Sequence, residues 1–159
     1  MTHLLLGVLY NDTILLDECI GILTERYGAV ADSFDYPFDV TDYYEIEMGK
    51  ELRRRLLVFK RKVGEEELAH LKRDAILLEE MFKTDGRRRL NIDPGYIASD
   101  EFVFASTKGK SYKKELRGGI FAHIVLEFRD NEVRVFFHTF PDFRKRDVQQ
   151  FIMRRRPSD

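Results

Sequence analysis

The sequence predicts an α+β fold: a mixed, mainly antiparallel sheet with two main helices and a C-terminal helix. Three observations carry that expectation. A short apolar run opens the chain and a helical stripe comes after it. A second stripe over 64–83 repeats at helical spacing. Alternating apolar and polar residues over 119–140 flank a two-residue turn.

The elements follow in order. His3–Tyr10, HLLLGVLY, reads as a buried strand. Asn11-Asp12-Thr13 offers oxygens to cap a helix, which carries Leu16, Ile20, Leu23 and Tyr27 on one face and stops at Gly28. Ala29–Phe34 is the second strand, and Asp35–Asp42 is an acidic, aromatic segment interrupted by Pro37. Tyr43–Met48 and Leu52–Lys62 read as strands around Gly49-Lys50. Over Gly64–Lys83, Leu68, Leu71, Ala75, Leu78 and Phe82 form one stripe, and Glu65–Glu67 suit the positive end of the helix dipole. The polar face of this helix reads as solvated, and Gly86 ends it.

Arg88–Ile92 is expected to be a strand broken at Pro94-Gly95, and Glu101–Ser106 another. Gly119–Arg129 and Glu132–Phe140 form a hairpin around Asp130-Asn131, because Asn and Asp tolerate left-handed backbone. The turn pairs Phe128 with Val133, Leu126 with Val135 and Ile124 with Phe137 on the core face. It pairs Glu127 with Arg134, Arg129 with Glu132 and His123 with His138 on the other. After Pro141-Asp142 a final helix carries Val148, Phe151 and Ile152, with Arg154–Arg156 at its negative end. The order β-α-β-β-β-α-β-β-β-β-α begins as a split β-α-β, ferredoxin-like unit, extended by an added hairpin. One domain, 1–159, is expected from the length and the lack of a linker.

The net charge of -1 hides a split. Residues 1–49 hold ten acids and one base, and residues 50–159 hold 26 bases and 18 acids. With 43% hydrophobic and 13% aromatic residues the chain is not disordered. A lone cysteine, Cys19, excludes an internal disulfide and reads as a buried small hydrophobe. No run approaches the roughly 18 apolar residues of a membrane span, and the N-terminus lacks the basic region of a signal peptide, so a cytoplasmic protein is expected. Few Asn and Gln beside many Glu, Lys and Arg is a composition seen in thermophiles.

Several residues could carry chemistry. Asp93, before Pro94-Gly95, is either turn chemistry or a general base or metal ligand. Lys108, Lys110 and Arg117 surround a hydroxylic loop that could hold an anion, although Phe104 stands where a phosphate loop needs its first glycine. Asp142 caps a helix or joins Arg144 in a site at the sheet edge. His123 and His138 could share a metal with a carboxylate such as Glu127, or simply pack as a pair between aromatics. Glu47 could bind a cation, and Tyr96 could stack against a ligand.

Five blocks resemble the successive motifs of one family: Tyr36–Gly49, Asn91–Tyr96, Ala105–Lys108, Gly118–Ala122 and Phe140–Arg144. The chain is similar, in order and over nearly its whole length, to the uncharacterised prokaryotic family known as domain of unknown function 4416. The resemblance implies a small cytosolic protein of bacteria or archaea and supplies no activity. Some members carry a GTP-binding label, but no Asp follows Thr107-Lys108-Gly109 to read guanine.

Three functions are weighed. The first is a module binding a phosphorylated small molecule or RNA through the basic loop and sheet edge. The second is an enzyme with a site gathering Glu47, Asp93, Lys108, Asp142 and Arg144, which requires those side chains to converge. The third is a structural or interaction protein whose acidic and basic surfaces pair copies into a homodimer. The first ranks highest. No cofactor is indicated.

Overall fold

A computed structural model describes residues 2–158; Met1 and Asp159, the ends of the expected domain, lie outside the described residues. The strands are β1 (His3–Tyr10), β2 (Val30–Pro37), β3 (Arg53–Lys62), β4 (Asn91–Ile97), β5 (Glu101–Ser106), β6 (Lys114–Glu115), β7 (Phe121–Arg129) and β8 (Glu132–Val135). The helices are α1 (Thr13–Tyr27), α2 (Glu45–Met48), α3 (Leu68–Met81) and α4 (Arg146–Arg154), with 3-10 turns at Glu65–Glu67 and Pro141–Arg144. The fold is α+β.

All eight strands join one sheet in the order β2-β3-β1-β4-β5-β7-β6, with β8 also on β7, and every pairing is antiparallel. The first four, with α1 and α3 as crossovers, have the ferredoxin-like arrangement. The remaining strands extend the sheet beyond β4.

Alternation along β1 explains its apolar run. Leu4, Leu6 and Val8 face a core shared with Leu16, Cys19 and Leu23 of α1 and Leu71, Ala75 and Leu78 of α3. Leu5 faces the opposite side, where Phe102, Phe143, Phe151 and Ile152 fill a second core under α4. Both faces are covered, so no polar alternation is expected in the central strand. At the start of α1, Asp12 accepts from the Ile14 and Leu15 amides, and Gly28 ends the helix at φ 92°.

The structure differs from expectation at four places. Tyr43–Met48 contains the short helix α2 rather than a strand, because Asp42 and Tyr44 carbonyls accept from Glu45 and Met48 amides. Second, β4 runs through Pro94-Gly95 without a break. A Cβ at Gly95 would lie 2.1 Å from the Val103 carbonyl, so this glycine permits close strand approach instead of a turn.

Third, the hairpin register holds for Leu126–Val135, Glu127–Arg134, Phe128–Val133 and Arg129–Glu132, with Asp130 at φ 57°. It stops there. The Thr139 hydroxyl donates to the Val125 carbonyl at 2.7 Å and accepts from the Phe136 amide at 2.8 Å, folding 136–139 into a turn. Phe137 is consequently 84% exposed instead of core-facing, and β7 beyond that point pairs with the unanticipated β6. Fourth, the polar face of α3 is not wholly solvated: Lys72 and Glu79 are buried.

Candidate functional site

Five of the ten acids in residues 1–49 are paired with bases from the rest of the chain. Asp35 accepts from Arg53 and Arg55 Nε at 2.5 and 2.9 Å. Asp39 pairs with Lys145, Asp32 with Arg155, Asp12 with Arg89 and Glu47 with Arg88. The acidic N-terminal third thus folds against the basic remainder.

Where the ferredoxin-like strands meet the added ones, a cleft of about 660 Å³ opens. Its walls come from distant segments. The 38–44 stretch supplies Phe38, Tyr43 and Tyr44, β3 supplies Arg54, and α3 supplies Lys72 and Glu79. Arg88 comes from the segment before β4, Asn91 and Asp93 from the start of β4, Ser106 from the end of β5, Lys108 and Lys113 from the loop after it, and Phe140 and Asp142 from the turn before α4.

One side is a continuous polar network. Glu47 accepts from Nε and Nη2 of Arg88, both at 2.9 Å, and from the Arg88 amide at 3.0 Å. Arg88 Nη1 donates to Asn91 Oδ1 at 2.7 Å, and Asn91 Nδ2 donates to Asp93 Oδ2 at 3.0 Å. Lys72 Nζ closes the chain on Asp93 Oδ1 at 3.2 Å. Burial acts to raise the Asp93 carboxyl, but Lys72 and Arg54 with the hydrogen bonds from Lys72 and Asn91 outweigh it, and Asp93 titrates below its ordinary range. Glu79 accepts from the Ile92 amide at 2.7 Å, yet burial prevails there and its carboxyl is raised.

The other side centres on Arg54. Its side chain shares the sheet face of Leu56 and Val58, is 3% exposed, and lies 3.4 Å from Asp142. Tyr36 donates to the same Asp142 oxygen at 2.6 Å. The guanidinium lies 4.9 Å from the Phe38 ring centre. Nε and Nη1 of Arg54 are buried with no hydrogen-bond partner among the described residues. A buried donor without an acceptor costs its desolvation, so this wall is under-satisfied on its own.

At the mouth, Lys108 Nζ sits 5.4 Å from the Tyr43 ring centre. Lys113 Nζ donates to Ser106 Oγ at 3.1 Å and to the Lys108 carbonyl at 3.0 Å. Arg54, Lys72, Arg88, Lys108 and Lys113 face the cleft against three carboxylates, Glu79, Asp93 and Asp142. Counting Glu47, which is paired with Arg88, the cleft has one more cation than carboxylate.

Asp93, Lys108 and Asp142 meet here, as a shared site requires, and Glu47 joins through Arg88. The other expected residues lie elsewhere. Tyr96 packs into the helix-side core, Lys110 is on the exposed loop, and Arg117 borders a separate surface hollow with Arg26 and Arg61. Arg144 Nη2 donates to the Phe136 carbonyl at 2.5 Å, which holds the local turn.

His123 and His138 do meet, ring centres 5.0 Å apart, but through the 136–139 turn rather than the strand register. Nε2 of His123 donates to the His138 carbonyl and that of His138 to the Ile124 carbonyl. Tyr112 and Phe136 stack on either side of His138. Among the described residues no group of three His, Cys, Asp or Glu side chains is placed to hold a metal ion. Cys19 is buried, and burial pushes its thiol up to about 12, where it is unreactive.

Lys72, Glu79, Asn91 and Lys113 are site residues that sequence reading did not single out, and Arg54 and Arg88 stand in the arginine runs 53–55 and 87–89, which read as exposed charge. Two carried a signal: Arg54 shares strand parity with Leu56 and Val58, and Lys72 lies on the α3 stripe four residues after Leu68 and three before Ala75.

A family model described as Domain of unknown function (DUF4416) matches residues 1–158. No curated protein and no solved structure matches the chain. Among the described residues no helix is long and apolar enough to cross a membrane.

Proposed function

The chain belongs to the DUF4416 family, and from that premise, which carries no activity, we propose that the cleft binds a phosphate-bearing small molecule, a nucleotide. One observation carries the reading: Arg54 is buried on the cleft wall with Nε and Nη1 making no hydrogen bond among the described residues, Nη1 having only its ion pair with Asp142 3.4 Å away. A phosphate oxygen is an acceptor that would satisfy them. Arg54 and Lys108 facing the cleft support an anion, and Tyr43, Tyr44, Phe38 and Phe140 offer rings for a base. The cleft volume suits a small ligand.

A thermal-shift screen of nucleoside mono-, di- and triphosphates, with isothermal titration of the best, tests this. A ligand bound only by the folded chain raises Tm. The expected result is a rise with at least one nucleotide, lost in Arg54→Met. No rise with any of them overturns the proposal. Tighter binding of a single-stranded oligonucleotide, with affinity falling steeply in salt, redirects it to RNA.

A further inference from the structure

Building on the cleft as a site for a phosphate-bearing molecule, we propose that Ser106 and Lys113 form a nucleophile and base that attack an acyl ester of that molecule. Ser106 ends β5 at the cleft, and the chain returns through a turn at 110–113 to place Lys113 Nζ 3.1 Å from Ser106 Oγ. The Lys108 amide donates to the same oxygen at 3.1 Å and fixes its position. Both side chains line the cleft. Nζ donates in its bond to Oγ, and the Ser106 hydroxyl donates to the Lys108 carbonyl at 3.4 Å; with Nζ neutral, rotation of the hydroxyl toward it gives the pairing that serine activation by lysine requires.

Lys113 is suited to the neutral form that a base must have. Among the described residues it has no carboxylate partner. It is faced by Lys108 and Lys110 of its own loop, by the Tyr112 ring and by His123 of β7. Burial first, and then Lys108 and Lys110, lower its pKa.

In the first step the Oγ–C bond forms, and Nζ takes the hydroxyl proton. The C–O bond to the phosphate-bearing alcohol then breaks, and that oxygen takes the proton from Nζ. In the second step water attacks the acyl-serine and gives its proton to Nζ. The Oγ–C bond breaks, a carboxylic acid leaves, and Nζ returns the proton to Oγ. No oxidant or metal is consumed.

The test incubates the full chain with an alkyl fluorophosphonate, in which Oγ displaces fluoride, and locates the adduct by peptide mass spectrometry. Ser106 should be modified, with a rate that rises with pH and levels off below the range of a free lysine. Ser106→Ala should give no adduct. Lys113→Arg, which keeps a donor to Oγ but cannot act as a base, should slow labelling about 100-fold. An unlabelled Ser106 in the natural sequence overturns the pair, as does an unchanged rate in Lys113→Arg. Nucleotide titration of the same preparation separates the two ideas. Binding without labelling removes only the nucleophile, and labelling without binding removes the ligand class.

Discussion

Arg54 of β3 and Asp142 of the turn before α4 lie 3.4 Å apart, 3% and 1% exposed, joining segments 88 positions apart in the chain. The pair is buried, so its members depend on each other more than an exposed pair would. Removing one partner of a buried pair leaves an uncompensated charge and costs about 3–5 kcal/mol. Arg54→Met should therefore lower stability by that order in urea unfolding. The double variant Arg54→Met with Asp142→Asn should recover most of it, because neither charge then remains. Nucleotide binding should stay lost in both.

Glu47 is the clamp on the opposite rim. Its bidentate grip on Arg88 ties α2, and the Tyr43–Tyr44 stretch before it, to the segment that leads into β4. Glu47→Gln should leave Tm nearly unchanged, since the pair is partly exposed. Amide exchange over 41–49 should quicken, and nucleotide affinity should fall several-fold. Unchanged exchange there would argue against the clamp.

The aromatic nest around His123 gives a pH signature. Burial, then Lys113 and His138, lower the His123 pKa to about 4 from the ordinary 6.5. The unfolded chain binds this proton below pH 6.5, while the folded chain resists it until about pH 4. Stability from this residue is thus full above pH 6.5 and is lost as pH falls through that window, by about 3 kcal/mol in all. His123→Asn should flatten the slope of unfolding free energy between pH 6.5 and 4.5. Some slope should remain, because His3 is also lowered, chiefly by burial.

Two glycines make opposite predictions. Gly95→Ala forces a Cβ to within 2.1 Å of the Val103 carbonyl and should cost roughly 3 kcal/mol as β4 and β5 move apart. Gly21 lies inside α1, where an added Cβ meets nothing within 4 Å. Gly21→Ala should stabilise by roughly 0.5–1 kcal/mol through helix propensity. Thermal melts of both variants check the pair.

The sequence disclosed the fold where a single periodicity governed. The α3 stripe, the β1 run and the turn at Asp130-Asn131 each obey one local rule, and the ferredoxin-like order came from them. It misled where tertiary contacts overrode local signals. Pro94-Gly95 has turn composition, yet Gly95 is required by the nearness of β5. Val135–Phe140 alternates like a strand, yet the Thr139 hydroxyl captures backbone groups and turns it. The site was half legible. Asp93, Lys108 and Asp142 stood out as polar groups near turns, whereas Lys72 and Arg54 were hidden in a helix stripe and an arginine run. Their role depends on which strands become neighbours, and that is a property of topology.

The cleft lies on a seam. Arg54, Lys72 and Asp93 belong to the ferredoxin-like part, while Lys108, Lys113 and Asp142 belong to the segments beyond β5. A ligand held by both sets acts as a clasp between them. Its effect should reach beyond the residues it touches: β4 and β5 share a short ladder, and parting them would require releasing the ligand first. Occupancy would then set how long the two parts of the sheet stay joined, so that ligand concentration governs the lifetime of the whole fold.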